Sequence, residues 1–179
     1  ILTLQPSALE VMDANTLNLI GRAKHGIPAD AAATLLLELD ADSVEIDLQE
    51  QADALRTICR PYKLASEPTL AFDAERREQL WKARKALYPT LYRFDPKKKP
   101  INFVDDVVVP AERISELIRY LEDFFGGQHV PVAIFGHIGN GNAHIVPLLD
   151  VNDRGDFEKM VQAYQDVDST VLNRFGGSI

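Results

Sequence analysis

The amino-acid sequence predicts an α+β sandwich, in which helices pack on one face of a mainly antiparallel sheet. Apolar runs of strand length alternate along the chain with stretches whose apolar residues recur at helical spacing. Near the carboxyl end, only five residues, Ile138-Gly-Asn-Gly-Asn142, separate two apolar runs, and so short a connection joins antiparallel strands. Strands joined partly by helices and partly by a hairpin are typical of this architecture.

The first part of the chain is expected to contribute two helices and a strand. Residues 8–23 are predicted to be helical, and residues 33–39 form a continuous apolar run of the length of a buried strand. A second helix is expected from Asp42, because Glu45 three residues later completes a capping box. The expected core positions are Leu9, Met12, Leu17 and Ile20 in the first helix, and Val44, Leu48, Ala52, Leu55 and Cys59 in the second.

The middle of the chain is expected to continue with an extended segment and a helix. Residues 62–72 are predicted to be extended, with an interruption at Pro68. Asp73 can cap a helix that runs to about Leu87, where Pro89 discourages continuation.

The last part completes the alternation of strands and helices. Its predicted elements are a polar loop over residues 93–100, a strand over 101–109, a helix, two strands over 130–137 and 143–149, and a helix over 153–175. The helix after Pro110 has one apolar face, and Gly126-Gly127 is expected to end it, since glycine adopts the left-handed cap at low cost. That face is formed by Ile114, Leu117, Ile118, Leu121 and Phe125.

The composition argues against a nucleic-acid binder. The 179 residues include 27 acidic and 19 basic side chains, a net charge of −8, whereas a nucleic-acid-binding face is basic. The basic run Lys97-Lys98-Lys99 is interpreted as a solvated loop. No apolar run reaches the roughly 18 residues of a membrane span, and the single cysteine, Cys59, allows no intrachain disulfide. We expect a cytoplasmic protein, either free or peripheral at the inner membrane.

The glycine-rich hairpin carries two histidines. His137 and His144 stand near the ends of its strands, and directly opposed residues of an antiparallel pair have side chains about 5 Å apart. Two imidazoles at that spacing can bind one metal ion at about 2.0–2.1 Å each. The same pattern fits a plain hairpin with two unrelated histidines. It is not a dinucleotide fingerprint, because Gly139-Asn-Gly141 lacks a third glycine and precedes a strand.

A second candidate group lies on the predicted helix after Asp73. Trp81, Arg84 and Tyr88 are three and four residues apart and therefore share a helix face. A guanidinium held among aromatic rings can grip a carboxylate through two parallel hydrogen bonds. The alternative is an arginine that lies along apolar surface with its head in water.

Two adjacent carboxylates, Asp105 and Asp106, interrupt the predicted strand over residues 101–109. Adjacent strand residues point to opposite faces, so one of the two faces inward and needs a partner. The inward carboxylate would orient Arg84 or a histidine of the hairpin, or it would form a structural salt bridge.

Four segments, in this order, match motifs of one family. Ala8-Leu-Glu-Val-Met-Asp13 is similar to A-L-E-x-M-D, and Trp81-x-x-Arg84 is similar to W-x-x-R. Asn102-Phe-Val-Asp-Asp-Val-Val-Val-Pro110 is similar to E-D-V-x-V-P, and Phe135-Gly-His-Ile-Gly-Asn-Gly-Asn-Ala-His144 to G-H-x-G-D/A-G-N-x-H. The chain thus resembles the FAD-linked oxidase C-terminal domain family of D-lactate dehydrogenases, glycolate oxidase flavin subunits and D-2-hydroxyglutarate dehydrogenases. Pro147-Leu-Leu-Asp150 and the terminal Gly176-Gly-Ser-Ile179 resemble the larger members that carry an added iron–sulfur region.

The resemblance implies a ferredoxin-like substrate domain that closes over FAD, which is held mainly by an amino-terminal domain absent from these residues. By the resemblance, Arg84 and Tyr88 would hold the carboxylate of a small 2-hydroxy acid such as D-lactate or glycolate. His137 and His144 would ligate a divalent metal such as zinc in those members that have one, and His144 would take part in catalysis. The metal would polarise the 2-hydroxyl while hydride passes to the flavin. Asn142 would line the flavin-facing loop.

Residues 1–179 are expected to be one substrate domain that is truncated at both ends and inactive alone. The chain begins at Ile1 and ends at Gly176-Gly-Ser-Ile179, before the family's S-G-E-H-G segment, which supplies a third metal ligand and a proposed base. Asn140 also stands where the family commonly has aspartate. The implied partners are the protein's own FAD domain and an electron acceptor or iron–sulfur region.

Two other functions fit the same pattern. A non-catalytic ferredoxin-like module that binds a ligand or a metal for regulation would have the same strands, helices and hairpin. A metal-dependent hydrolase that uses His137 and His144 would need a carboxylate ligand within reach.

Overall fold

The computed structural model describes residues 1–40, 45–102 and 104–179. Its strands are β1 (Ala8–Asp13), β2 (Ala33–Glu38), β3 (Lys99–Pro100), β4 (Val104–Val108), β5 (Val132–His137) and β6 (Asn142–Leu149). Its longer helices are α1 (Ala14–Ile20), α2 (Glu45–Cys59), α3 (Ala74–Lys85), α4 (Leu87–Phe94), α5 (Ile114–Gly127) and α6 (Arg154–Thr170). None of the helices in these described ranges is both long and apolar enough to cross a bilayer.

The strands form one sheet in which the described pairs are antiparallel. β5 pairs with β1 on one side and with β6 on the other, and β2 pairs with the outer side of β1. The outer side of β6 pairs with β4 near its start and with β3 near its end. This arrangement confirms the predicted α+β class and the predicted hairpin of β5 and β6.

Helices cover both faces of the sheet. Alternate residues of β5 point to opposite faces, so Val132 and Ile134 pack with α5 and α6, whereas Ala133 and Phe135 pack with α1, α3 and α4. Helices are expected on one face from the sequence, and the structure adds a second helical layer on the other face. The physical reason is that β5 and β6 are apolar on both faces, and such strands are stable only when both faces are covered.

The first predicted helix, over residues 8–23, is wrong for its first half, which is strand β1. β1 lies between β2 and β5 and is buried on both faces, so its apolar residues follow one another without the usual alternation. Asp13 ends the strand and caps α1, since its carboxylate accepts the backbone N–H of Thr16 at 2.8 Å. The expected core positions of this stretch, Leu9, Met12, Leu17 and Ile20, are all buried.

Residues 62–72 do not form the predicted extended strand. No described strand pairs with them, and the large side chains of Tyr62, Leu64 and Phe72 are exposed. Without a neighbouring strand or a buried face, such a segment is not stabilised as a strand.

Asp73 caps α3 as predicted and accepts the backbone N–H of Arg76 at 2.7 Å. The helix ends at Lys85, but α4 begins at Leu87 and continues through Pro89, against the predicted stop. A proline is tolerated there because the first-turn N–H groups of a helix have no intrahelical acceptor. The predicted polar loop is therefore shortened to the residues between α4 and β3.

Two further predicted helix ends remain, the end of α5 and the start of α2. Gly126-Gly127 lies inside the last turn of α5, and the left-handed residue that follows is His129, with φ of 54°. The predicted capping box depends on Asp42, which lies outside the described residues, as does Val44 of the predicted stripe. Within α2, Ala52 and Leu55 are buried as expected.

Candidate functional site

One face of the sheet, beneath α3 and α4, gathers the polar residues that the sequence analysis singled out. Across the β1–β5 pair Glu10 is directly opposite His137, and across the β5–β6 pair Phe135 is directly opposite His144. Phe135 and His137 are two residues apart on β5 and point to the same side of the sheet. These four side chains therefore form a continuous patch, which we call the site face.

Glu10 is the buried centre of the site face. The residue is 3% exposed. One of its carboxylate oxygens, Oε2, accepts a hydrogen bond from Arg84 Nε at 2.9 Å, and the other, Oε1, is bonded to His137 Nδ1. A buried carboxylate is costly unless it is paired and hydrogen-bonded, and Glu10 is both.

Arg84 extends from α3 over the aromatic part of the site face. Its guanidinium carbon lies 4.6 Å from the centroid of the Phe135 ring, within the range of a cation–π contact. Tyr88, on α4, meets the same ring edge-on at 5.7 Å. The bond to Glu10 uses Nε, so the outer edge of the guanidinium, formed by its two Nη groups, is left to other partners. Arg84 and Tyr88 thus lie together, as predicted, although they belong to two helices.

Trp81 completes the face of α3 and fixes it to the sheet. Its indole N–H donates to Glu38 Oε1, on β2, at 2.8 Å. Glu38 and Glu10 lie on the same side of the sheet, because Glu38 pairs with Ala8 two residues before Glu10. Two neighbouring carboxylates thus anchor one helix, Glu38 through Trp81 and Glu10 through Arg84.

The structure brings His137 and His144 together. Their ring centroids are 5.5 Å apart and their planes are nearly perpendicular, at 83°. Two imidazoles bound to one tetrahedral ion at about 2.0–2.1 Å have centroids about 5 Å apart, so the spacing suits a shared metal. Within the described ranges, no three side chains of His, Cys, Asp or Glu converge as a metal site.

Each histidine has a carboxylate beside its Nδ1. His137 Nδ1 is bonded to Glu10, and His144 Nδ1 lies 3.5 Å from Asp106 Oδ1. A carboxylate on one ring nitrogen is the usual companion of a metal-ligating histidine, because it sets the tautomer and orients the ring. Asp106, of the Asp105-Asp106 pair, thus approaches a hairpin histidine, although its side chain is 76% exposed. The side chain of Asp105 lies outside the described atoms.

Asn142, at the start of β6, is held at the rim of the site face. Its Nδ2 donates to Asp106 Oδ1 at 2.8 Å. Its Oδ1 is buried and has no hydrogen-bond partner among the described residues. A buried acceptor without a partner is unusual in a folded protein and marks a place where a donor is missing.

Among the polar residues of the site face, His137 and His144 could be identified from sequence, whereas Glu10 was missed. The available signal was a single acidic residue inside the apolar run Ala8–Asp13, because a lone charge at a buried position requires a partner. The run was predicted as a helix, so Glu10 was not placed opposite the hairpin.

The fold and the site face together define an α+β domain that presents an arginine, two histidines and an amide on one side of an antiparallel sheet. Residues 2–179 match the model of the family described as "FAD linked oxidases, C-terminal domain". The chain belongs to this family, as its motifs predicted.

Individual relatives support the same assignment. The glycolate oxidase subunit GlcD of Bacillus subtilis (strain 168) is 29% identical over 177 residues, which cover 97% of this chain and 36% of the relative. GlcD of Escherichia coli (strain K12) is 30% identical over 155 residues, or 86% of this chain and 30% of the relative. The D-lactate dehydrogenase of Anaerostipes hadrus is 30% identical over 189 residues, or 98% and 37%. The chain thus spans about a third of the length of the curated relatives it matches.

A solved structure shares the fold. The 4-ethylphenol oxidase from Gulosibacter chungangensis, in its isoeugenol complex, superposes with a TM-score of 0.63 over 96% of this chain and 38% of that chain. The sequence identity is 11%, so the likeness concerns the fold alone.

Proposed function

We propose that this chain is the substrate-side domain of a flavin-dependent dehydrogenase that oxidises a small 2-hydroxy acid to the 2-keto acid. Relatives are named glycolate oxidase subunit, D-lactate dehydrogenase and D-2-hydroxyglutarate dehydrogenase. The single observation that carries the proposal is the outer edge of the Arg84 guanidinium, which lies on the same sheet face as the two histidines.

Arg84 is proposed to bind the substrate carboxylate. With Nε on Glu10, its two Nη groups can donate two parallel hydrogen bonds to a carboxylate end-on. Phe135 and Glu10 hold the guanidinium plane, so little conformational freedom is lost on binding. Tyr88, packed on Phe135, borders the same place and is proposed to contact the substrate.

His137 and His144 are proposed to hold a divalent metal such as zinc. The 5.5 Å ring spacing and the carboxylates beside both Nδ1 atoms fit that role, and the third ligand would come from outside these residues. When bound, such an ion would supply Lewis acidity for the substrate hydroxyl. His144 is 18% exposed in its side chain and lies against Phe135, so it is proposed as the catalytic member of the pair.

Asn142 is proposed to face the flavin. Its buried Oδ1 suits an N–H donor of an isoalloxazine ring, and its Nδ2 is fixed on Asp106. FAD, held mainly by another domain of the complete protein, would accept the hydride. The isolated chain is therefore proposed to be inactive, and an iron–sulfur region or other acceptor, free or at the inner membrane, to receive the electrons.

The test uses the complete flavoprotein that contains this chain. It is mixed without oxygen with D- and L-2-hydroxy acids of increasing size while the visible absorbance of the flavin is followed. Bleaching by a small 2-hydroxy acid, lost on removal of Arg84, is the expected result. Flavin that stays oxidised with every acid would reject the proposal in favour of a non-catalytic binding module.

A further inference from the structure

We propose that Glu10 is the positioning residue of this site, because its one buried carboxylate holds the substrate-binding arginine and a metal-binding histidine at the same time. The inference rests on the proposed function, since it concerns how Arg84 and His137 are prepared for their ligands. Both oxygens of Glu10 are used, Oε2 by Arg84 and Oε1 by His137. The two ligand-binding groups are thereby linked through a single side chain.

The place of Glu10 in the fold suits this role. Strand β1 is paired on both sides, with β2 and β5, so its backbone is fixed by two hydrogen-bond ladders. The side chain of Glu10 is only 4% exposed, whereas that of His137 is 55% exposed. An exposed imidazole would otherwise sample several rotamers. The buried carboxylate of Glu10 therefore fixes the orientation of the His137 ring, which the exposed position of His137 would otherwise leave free to rotate.

Glu10 also determines which nitrogen of His137 is available. Oε2 accepts from Arg84, which has only donors, and Oε1 contacts Nδ1 of His137. A carboxylate can only accept, so a neutral imidazole in this contact would carry its proton on Nδ1. A neutral His137 with its proton on Nδ1 carries its lone pair on Nε2, on the far side of the ring from Glu10. The geometry thus assigns Nε2 of His137 to the metal.

Replacing Glu10 by glutamine makes a sharp test of this assignment. The amide oxygen must face Arg84, which offers only donors, so the amide NH₂ must face His137. Nδ1 then has to accept a hydrogen bond, and the proton moves to Nε2. Glutamine is close to glutamate in size, so the substitution is expected to reverse the tautomer of His137 with little change in side-chain volume.

Glu38→Gln is the matched control. Glu38 lies on the neighbouring strand, faces the same side of the sheet and anchors the same helix, but its partner is Trp81. A glutamine oxygen can still accept the indole N–H. This variant perturbs the sheet in a similar way without touching either Arg84 or His137.

The first measurement is the tautomer of His137, by long-range ¹⁵N–¹H NMR of the full chain at a pH where the ring is neutral. We expect the Nδ1–H form in the wild type and in E38Q, and the Nε2–H form in E10Q. An Nε2–H tautomer in the wild type would overturn the proposal, even if E10Q fails to fold.

The second measurement is the affinity of the same chain for Zn²⁺ by calorimetry. Loss of a carboxylate that orients a ligating histidine typically weakens metal binding by about 10–100-fold. We expect that loss for E10Q and none for E38Q, and equal affinity of the wild type and E10Q would contradict the proposal. A wild type that binds no zinc would count against the proposed metal function, while the tautomer would still decide the role of Glu10.

Discussion

Val109 donates its backbone N–H to the carbonyl oxygen of Gly141 at 3.0 Å, and this bond ties the loop between the two histidines to the end of β4. Gly141 has φ of +78°, and a Cβ placed on it would lie 1.8 Å from the carbonyl oxygen of Val109. The close approach and the left-handed backbone both require glycine at this position. The geometry of the His137–His144 hairpin thus depends on a residue that carries no side chain.

We predict that Gly141→Ala destabilises the fold by about 3 kcal/mol or more, because the clash is with backbone and cannot be relieved by a rotamer change. Urea unfolding followed by circular dichroism measures the loss. Gly126→Ala is the control, since it lies in α5 and its added Cβ meets nothing within 4 Å. That change should be neutral or stabilise by about 0.5–1 kcal/mol. A G141A variant as stable as the wild type would mean that the loop takes another path.

Arg84→Lys keeps the charge but removes the planar pair of Nη donors. If the guanidinium binds the substrate carboxylate, kcat/KM for flavin reduction in the complete protein should fall by about 10–100-fold, which corresponds to one lost charge-assisted hydrogen bond. Arg56→Lys is the control, because Arg56 is a surface residue paired with Asp53 on α2. Equal losses of kcat/KM in both variants, or no loss in R84K, would contradict the proposal that Arg84 binds the substrate carboxylate.

Trp81→Phe should weaken the attachment of α3 to the sheet. The change removes the 2.8 Å bond to Glu38 and leaves a partly buried carboxylate without that donor, at a cost of about 1–2 kcal/mol. Glu38→Gln should cost less, since an amide oxygen still accepts the indole N–H. Because Trp81 is the single tryptophan, both variants are compared by circular dichroism and not by fluorescence. If W81F lost less free energy of unfolding than E38Q, the Trp81–Glu38 hydrogen bond would not be what attaches α3 to the sheet.

The site could be predicted from sequence where its geometry is local. The histidines share one hairpin, so their spacing follows from the register of two adjacent strands, and Trp81 and Arg84 share one helix face. Glu10 was missed for the opposite reason. It meets His137 across 127 positions of sequence, through a β1–β5 pairing that no local pattern specifies.

The fold, like the site, could be predicted where it depends on local sequence and not where it depends on contacts between distant segments. Hairpin strands, the α5 stripe and the Asp73 cap depend on residues within a few positions of each other, and they were predicted correctly. β1 is buried on both faces by strands and helices that lie far away in sequence, so its apolar run lacks the two-residue period that distinguishes a strand from a helix. Tertiary contacts, and not intrinsic preference, decide the conformation of such a segment.

On the opposite face of the sheet, a pair of carboxyl groups should make the stability of the fold depend on pH. Burial, then the charge of Asp13 and a hydrogen bond with its side chain, raise the pKa of Glu122 from its ordinary value of 4.5 to about 7. Burial also raises the pKa of Asp13. A carboxyl group with a higher pKa in the folded chain binds its proton more tightly there than in the unfolded chain, so it contributes stability at low pH and loses it as the pH rises through about 7.

The free energy of unfolding should therefore fall between about pH 5 and pH 8, and Glu122→Gln should flatten that fall, because the amide is neutral throughout. Glu116→Gln is the matched control on the same helix. Hydrogen bonds from Arg113 and Arg174 lower the pKa of Glu116, so this carboxyl group titrates below about pH 5. Glu116→Gln should therefore shift the free energy of unfolding equally at every pH between about 5 and 8, without changing how steeply it falls. Urea midpoints of the three proteins at several pH values measure both effects. Parallel curves for the wild type and E122Q would contradict the raised pKa of Glu122 as a source of the pH dependence.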